Sequence, residues 1–63
     1  MNAKPLTEKE QEVLKLLMKG KPRKQIAFEM AISINTVNTH LRNLHLKTGT
    51  HSIQELILWK RKK

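Results

Sequence analysis

The chain has 63 residues, no cysteine, and 13 lysines and arginines against 5 acidic residues, for a net charge of +8 with histidine neutral. A chain this short removes only about 60% of its unfolded surface from water, and with no disulfide available a dense packing of helices has to hold it. The charge calls for a polyanionic partner, while the lack of an apolar run near the roughly 20 residues of a membrane span, or of a basic-then-apolar leader, points away from membrane and export.

Thr7 followed by Glu10 spells a capping box, so a first helix is expected to start at Thr7. Val13, Leu14 and Leu17 recur at helical spacing, and Gly20 with Pro22 punctuates the end, which gives a helix over 8–19. Leu16 falls off that stripe and is expected to be a singly exposed leucine. Pro22 suits the entry to a second helix over 23–30, with Ile26, Ala27 and Met30 turned inward. Ser33 then caps a third helix after a turn of only Ala31 and Ile32. That turn is too short for the two helices to lie antiparallel, so they are expected to cross steeply as a helix-turn-helix.

In the third helix, over 33–47, Val37, Leu41 and Leu44 share one stripe, with His40 at its margin. Asn35, Asn38, Thr39, Arg42, Asn43 and Leu46 point the other way. Gly49 ends the helix, and Ser52 with Glu55 spells a second capping box for a fourth helix running to about Trp59 or beyond. The apolar residues there, Ile53, Leu56, Ile57, Leu58 and Trp59, are too many for one stripe, so part of this helix is expected to stay exposed and invite a partner helix. With no repeat and no linker, the expected fold is all-α: one four-helix domain over 1–63, with its core over 6–59 and a basic tail over 60–63.

Most exposed helical faces carry Glu, Lys, Gln and Ala, which favour helix and water together. The outer face of helix three instead carries asparagine, threonine and arginine and no acid. Asparagine can read adenine with two bonds, arginine can read guanine O6 and N7, and a threonine methyl can meet the thymine methyl. A solvated polar face would also be hydrophilic, but the helix-turn-helix turn ahead of this one aims it at a groove about 12 Å wide. Lys24, near the amino end of helix two, can hold a phosphate beside free backbone amides.

Three stretches carry a family resemblance: Leu6-Thr7-Glu8-Lys9-Glu10-Gln11-Glu12-Val13-Leu14, then Lys24-Gln25-Ile26-Ala27, then Ser33-Ile34-Asn35-Thr36-Val37-Asn38-Thr39-His40-Leu41. Continued through Asn43-Leu44, Lys47, Gly49 and Ser52, the chain resembles the LuxR-type (GerE-like) helix-turn-helix, a relative of the winged-helix folds without a wing. The resemblance implies a bacterial transcription regulator domain that binds inverted-repeat operators in double-stranded DNA as a homodimer through its last helix, here Ile57, Leu58 and Trp59. It places base contacts on Asn38, Thr39 and Arg42, and phosphate contacts on Lys24, Asn35, Thr36 and Lys47. RNA polymerase is a further expected partner, and the implied location is the bacterial cytoplasm, on the nucleoid. The chain departs from the family pattern at four places. Ala31 stands where glycine is frequent, Thr48 where an apolar residue is, Leu46 where a polar one is, and Gln25 where glutamate is common.

Other chemistries find little support. There is no carboxylate pair, no nucleophile with a base and no glycine-rich phosphate loop, and Ser33 and Ser52 read better as caps, so an enzyme is not expected. His40, His45 and His51 are five and six residues apart, which puts no pair on one helical face, so neither metal nor cofactor is expected. His40 reads as a core-edge histidine bonded to backbone, and His45 and His51 as surface side chains with at most an occasional phosphate contact. A bundle this small leaves no room for a ligand pocket, and Met1 just ahead of Leu6 favours a stand-alone regulator over an excised output domain. Leu58 and Trp59 before four cations could lie on an anionic membrane, though a solvated basic end accounts for them as well. The remaining alternative is an interaction module that sequesters a related regulator through helix four; such a module has no need of the asparagine and arginine face that is present.

Overall fold

Local hydrogen bonding sets the four helices of the computed structural model, which describes residues 5–62. Helix α1 (Glu8–Met18) opens on the expected capping box: the Thr7 hydroxyl accepts from the Glu10 amide at 3.1 Å and the Glu10 carboxylate accepts from the Thr7 amide at 3.0 Å. It closes where Gly20, at φ +82°, lets the Gly20 and Lys21 amides bond back to the Leu17 and Leu16 carbonyls. Helix α2 (Arg23–Met30) follows Pro22, which stands in extended conformation just ahead of the first turn. Helices α3 (Ile34–Thr48) and α4 (Ile53–Arg61) are capped by the Ser33 and Ser52 hydroxyls, which accept from the Thr36 and Glu55 amides. The second capping box differs from expectation by one residue. The Glu55 carboxylate accepts from the His51 amide at 2.6 Å and not from that of Ser52, so it ties down the residue ahead of the cap.

All four helices feed one core. Val13 and Leu14 of α1, Ile26 of α2, Val37 and Leu44 of α3 and Leu56 of α4 are fully buried, with Leu41, Leu17 and Ala27 close behind. Leu6, Met30, Ile32, Ile53 and Trp59 pack around them, half-buried. At about 1.5–3 kcal/mol for each large apolar side chain removed from water, these residues are the main favourable term. Leu16 corrects the sequence reading: it is buried at 5% exposure. The reason is tertiary, since α1 packs against each of the other three helices, and the arc it must cover is wider than one stripe.

Where α2 meets α3, Ala31 stands in the left-handed region at φ 56°, ψ 43°, and the amides of Ala31 and Ile32 bond to the carbonyls of Phe28 and Ala27. A Cβ in that region costs about 1–2 kcal/mol, whereas glycine there loses only about 0.5–1 kcal/mol to its greater chain entropy. Ala31→Gly is therefore expected to stabilise the fold by about 0.5–1 kcal/mol, read as a rise of a few degrees in the thermal midpoint by circular dichroism. A lower midpoint would mean that the Ala31 methyl contributes packing that outweighs its backbone strain.

The end of α3 explains a second departure from the family pattern. The half-buried Thr48 donates to the Leu44 carbonyl at 2.8 Å and meets the Thr50 hydroxyl at 2.9 Å, and the buried Thr50 meets His45 Nδ1 at 2.8 Å. A polar residue is tolerated on the inner side because the Thr48 and Thr50 hydroxyls both have partners. His45 is thus a structural link between α3 and the following loop, not a free surface residue. His40 is half-buried at the core edge as expected, but among the described residues its ring finds no hydrogen-bond partner, backbone or otherwise.

Candidate nucleic-acid interface

Periodicity turns the chosen side chains of α3 outward. Asn35, Asn38, Thr39 and Arg42 are exposed on the side away from Val37, Leu41 and Leu44. No acidic residue lies anywhere on α3, so nothing on this face repels a phosphate. Among the described residues the Arg42 guanidinium and the Lys24 ammonium have no ion-pair partner, which leaves both charges available. Thr39 donates its hydroxyl to the Asn35 carbonyl at 3.1 Å. Its one donor is spent inside the helix, which leaves a ligand the methyl and an oxygen that can only accept. Thr36 belongs to the cap, its hydroxyl 2.9 Å from that of Ser33, where the first amides of α3 and the positive end of its dipole favour an anion.

Lys47 is drawn elsewhere. Its ammonium lies 2.7 Å from the Glu10 carboxylate and 3.4 Å from the Pro5 carbonyl, at 20% side-chain exposure. The last turn of α3 is thereby pinned to the first turn of α1. Burial pushes the Glu10 carboxyl up, but hydrogen bonds from Lys47 and the Thr7 amide, with the Lys47 charge behind them, hold it below its ordinary value of 4.5. The resemblance marks Lys47 as a phosphate contact and the capping box marks Glu10, but nothing local in the sequence pairs the two.

Arg23 is the residue that sequence reasoning missed. It opens α2, is exposed, and its Nη1 donates to Asn38 Oδ1 at 3.4 Å, so a guanidinium from α2 stands against the outer face of α3. The available signal was its place beside Lys24, at the end of α2 that a helix-turn-helix brings to the backbone. An open trough of about 520 Å³ runs along this side, lined by Arg23, Asn38, Arg42, His45, Leu46 and His51 among others. At the far end of α2, Glu29 is engaged by Lys21 at 2.6 Å and by Gln25 at 3.0 Å. Those bonds, Lys21 first, hold its carboxyl below the ordinary range and offset the one negative charge of that helix.

On α4, Leu58 is exposed at 53%, Ile57 is half-buried, and Trp59 is half-buried against the core. The three do not form one outward patch: Leu58 carries the free apolar surface, while Trp59 is shared with the interior. Lys60, Arg61 and Lys62 follow as exposed cations, and the last residue of the basic tail, Lys63, lies outside the described residues. Among the described residues no helix is long and apolar enough to cross a membrane.

Comparison with known proteins agrees with this arrangement. A family model described as "Bacterial regulatory proteins, luxR family" (GerE) matches residues 4–60. Among curated relatives, the HTH-type transcriptional regulator MalT of Serratia proteamaculans (strain 568) is 43% identical over 53 residues, which cover 84% of this chain and 6% of that protein. The chain thus spans a small fraction of the relative it matches. No solved structure gives a significant match.

Proposed function

Because the chain belongs to the luxR family of bacterial regulatory proteins, we propose that it binds double-stranded DNA sequence-specifically, with α3 in the major groove, and regulates transcription from that position. The observation that carries this reading is the acid-free outer face of α3, where Asn38, Thr39 and Arg42 stand exposed beside the cations of α2. Asn38, Thr39 and Arg42 read base edges, while Lys24, Asn35 and Thr36 set position on the phosphates. Arg23 joins the positioning set through its contact with Asn38. Lys47, assigned to phosphate by resemblance, is proposed to act there through its one remaining donor, since Glu10 and the Pro5 carbonyl take the other two. One module of this size covers roughly 600–1,000 Å² on DNA.

Two copies are proposed to pair through α4, led by Leu58 with Ile57 and the exposed part of Trp59, on an inverted repeat. The support is the unsatisfied apolar surface of Leu58, opposite the buried Leu56. RNA polymerase is a proposed further partner, and the nucleoid the proposed location. The same exposed Leu58 supports the second reading, a module that sequesters a related regulator through α4.

Selection of bound sequences from a random duplex pool tests both readings together. The expected result is an enriched site with two-fold symmetry whose half-sites lie about one helical turn apart, 10–10.5 base pairs centre to centre, or a multiple of that. Enrichment of a single half-site would remove the α4 dimer and keep the groove reading. No enrichment from a protein that still captures a related regulator would favour sequestration.

A further inference from the structure

The outer row of α3 continues past Arg42. Asn35, Thr39, Arg42 and Leu46 follow one another at steps of four, three and four residues, which keeps them within about 60° of arc at roughly 100° per residue. All four are exposed, and Leu46 is 75% exposed, an isobutyl group held in water among amides and a guanidinium. It stands one turn beyond Arg42, about 6 Å along the axis at 1.5 Å per residue. That distance is about two base-pair steps of 3.4 Å.

The surroundings of Leu46 limit what can cover it. The trough beside it joins a mainly apolar wall, which includes Leu41 and Gly49, to the polar ends of Arg23, Asn38, Arg42 and His51, and the two guanidiniums suit a polyanion better than the apolar face of another protein. A ligand that is anionic overall and yet presents an isolated apolar group to a helix in a groove is duplex DNA, whose major groove exposes the thymine C5-methyl. The row then offers a methyl at Thr39, a guanidinium at Arg42 and an isobutyl group at Leu46.

Resting on the reading that α3 enters the major groove, we propose that Leu46 packs on the 5-methyl group of a thymine one or two base pairs beyond the one that Arg42 reads. Leu46 is in that case a specificity residue, with van der Waals contact as its only means of discrimination.

On a site recovered by selection, each thymine is replaced in turn by deoxyuridine, which removes only the methyl, and affinities are measured for the full chain and for Leu46→Ala. Alanine is the better helix former at an exposed position, so the variant keeps the fold. At one thymine, one or two base pairs from the guanine whose preference is lost in Arg42→Ala, uracil is expected to weaken the parent about fourfold, as burial of one carbon group does. The same replacement is expected to leave Leu46→Ala unchanged, while a uracil effect due to Thr39 persists in both proteins. A parent indifferent to every methyl at that distance, or a Leu46→Ala protein that keeps the full response, overturns the proposal even though the site is still bound. A chain that binds no selected DNA overturns the groove reading itself, and this proposal with it.

Discussion

Glu10→Ala is expected to cost the fold about 3 kcal/mol, at the lower end of what breaking a buried ion pair costs. The substitution strands the Lys47 ammonium at 20% exposure and removes the acceptor of the Thr7 amide, so α1 loses half its capping box and α3 loses its tie to α1. The lower end applies because Lys47 keeps a path to water. A domain of this length has about 3–9 kcal/mol in all, at 0.05–0.15 kcal/mol per residue, so the variant stands near the limit of folding. Glu10→Gln keeps an acceptor for both donors and should lose less, about 1–2 kcal/mol. Urea titration distinguishes the two, with a lower midpoint and an unchanged slope in each case. If both variants match the parent, the pair contributes nothing net.

The same carboxylate gives the fold a pH dependence of known sign. Glu10 is more acidic in the folded chain than its ordinary value of 4.5. Its contribution is therefore fully present above about pH 4.5 and is lost as the pH falls through the folded value. Glu29, held down by Lys21, acts in the same direction but weakly, since it is solvent-screened. The parent's urea midpoint should fall on acidification below pH 4.5, and Glu10→Gln should flatten most of that fall.

That pair also marks what a linear reading of this chain can reach. Thr7, Ser33, Gly20 and Gly49 are legible because caps are bonds between residues three to five positions apart, and the helix bounds follow from them. The inward stripe of α3 is legible because one period governs which side chains share a face. Leu16 is not, because its burial depends on α1 being covered by three helices at once. Lys47 and Glu10 are 37 residues apart, and only the assembled fold brings a conspicuous cation of α3 against the cap of α1. Arg23 falls between the two cases: its charge is plain in the sequence, but its contact with Asn38 requires the relative placement of α2 and α3.

Arg42→Ala is expected to cost about 1–3 kcal/mol at a single base pair, or about 5- to 150-fold, and to flatten preference there while sparing the rest of the site. Arg42 is exposed in the middle of the outer row, with no carboxylate among the described residues to compete for its guanidinium, so both of its parallel donors can meet guanine O6 and N7. Lys24→Ala provides the contrast. A phosphate contact carries no sequence information, so its loss should weaken all sequences alike and reduce the salt slope by about one. Affinities of both variants for the selected site and its single-base variants, at several salt concentrations, separate these roles. If Arg42→Ala weakens every sequence equally, Arg42 is a backbone contact; an unchanged salt slope in Lys24→Ala removes Lys24 from the phosphate set.

The helices are unequally anchored, and this has a consequence for how the domain breathes. α4 has one fully buried side chain, Leu56, with Ile53 and Trp59 partly covered, whereas α1 and α3 contribute the greater part of the interior. Cooperative units with few buried apolar groups open at a free energy below that of global unfolding. The last helix is therefore the first to detach, and it can do so while the α1–α3 body, pinned by Glu10 and Lys47, keeps the outer face of α3 in place. Local opening at this end of the molecule is separated from the outer face of α3, and a second copy seated on Leu58, as proposed, would suppress it while leaving that face unchanged.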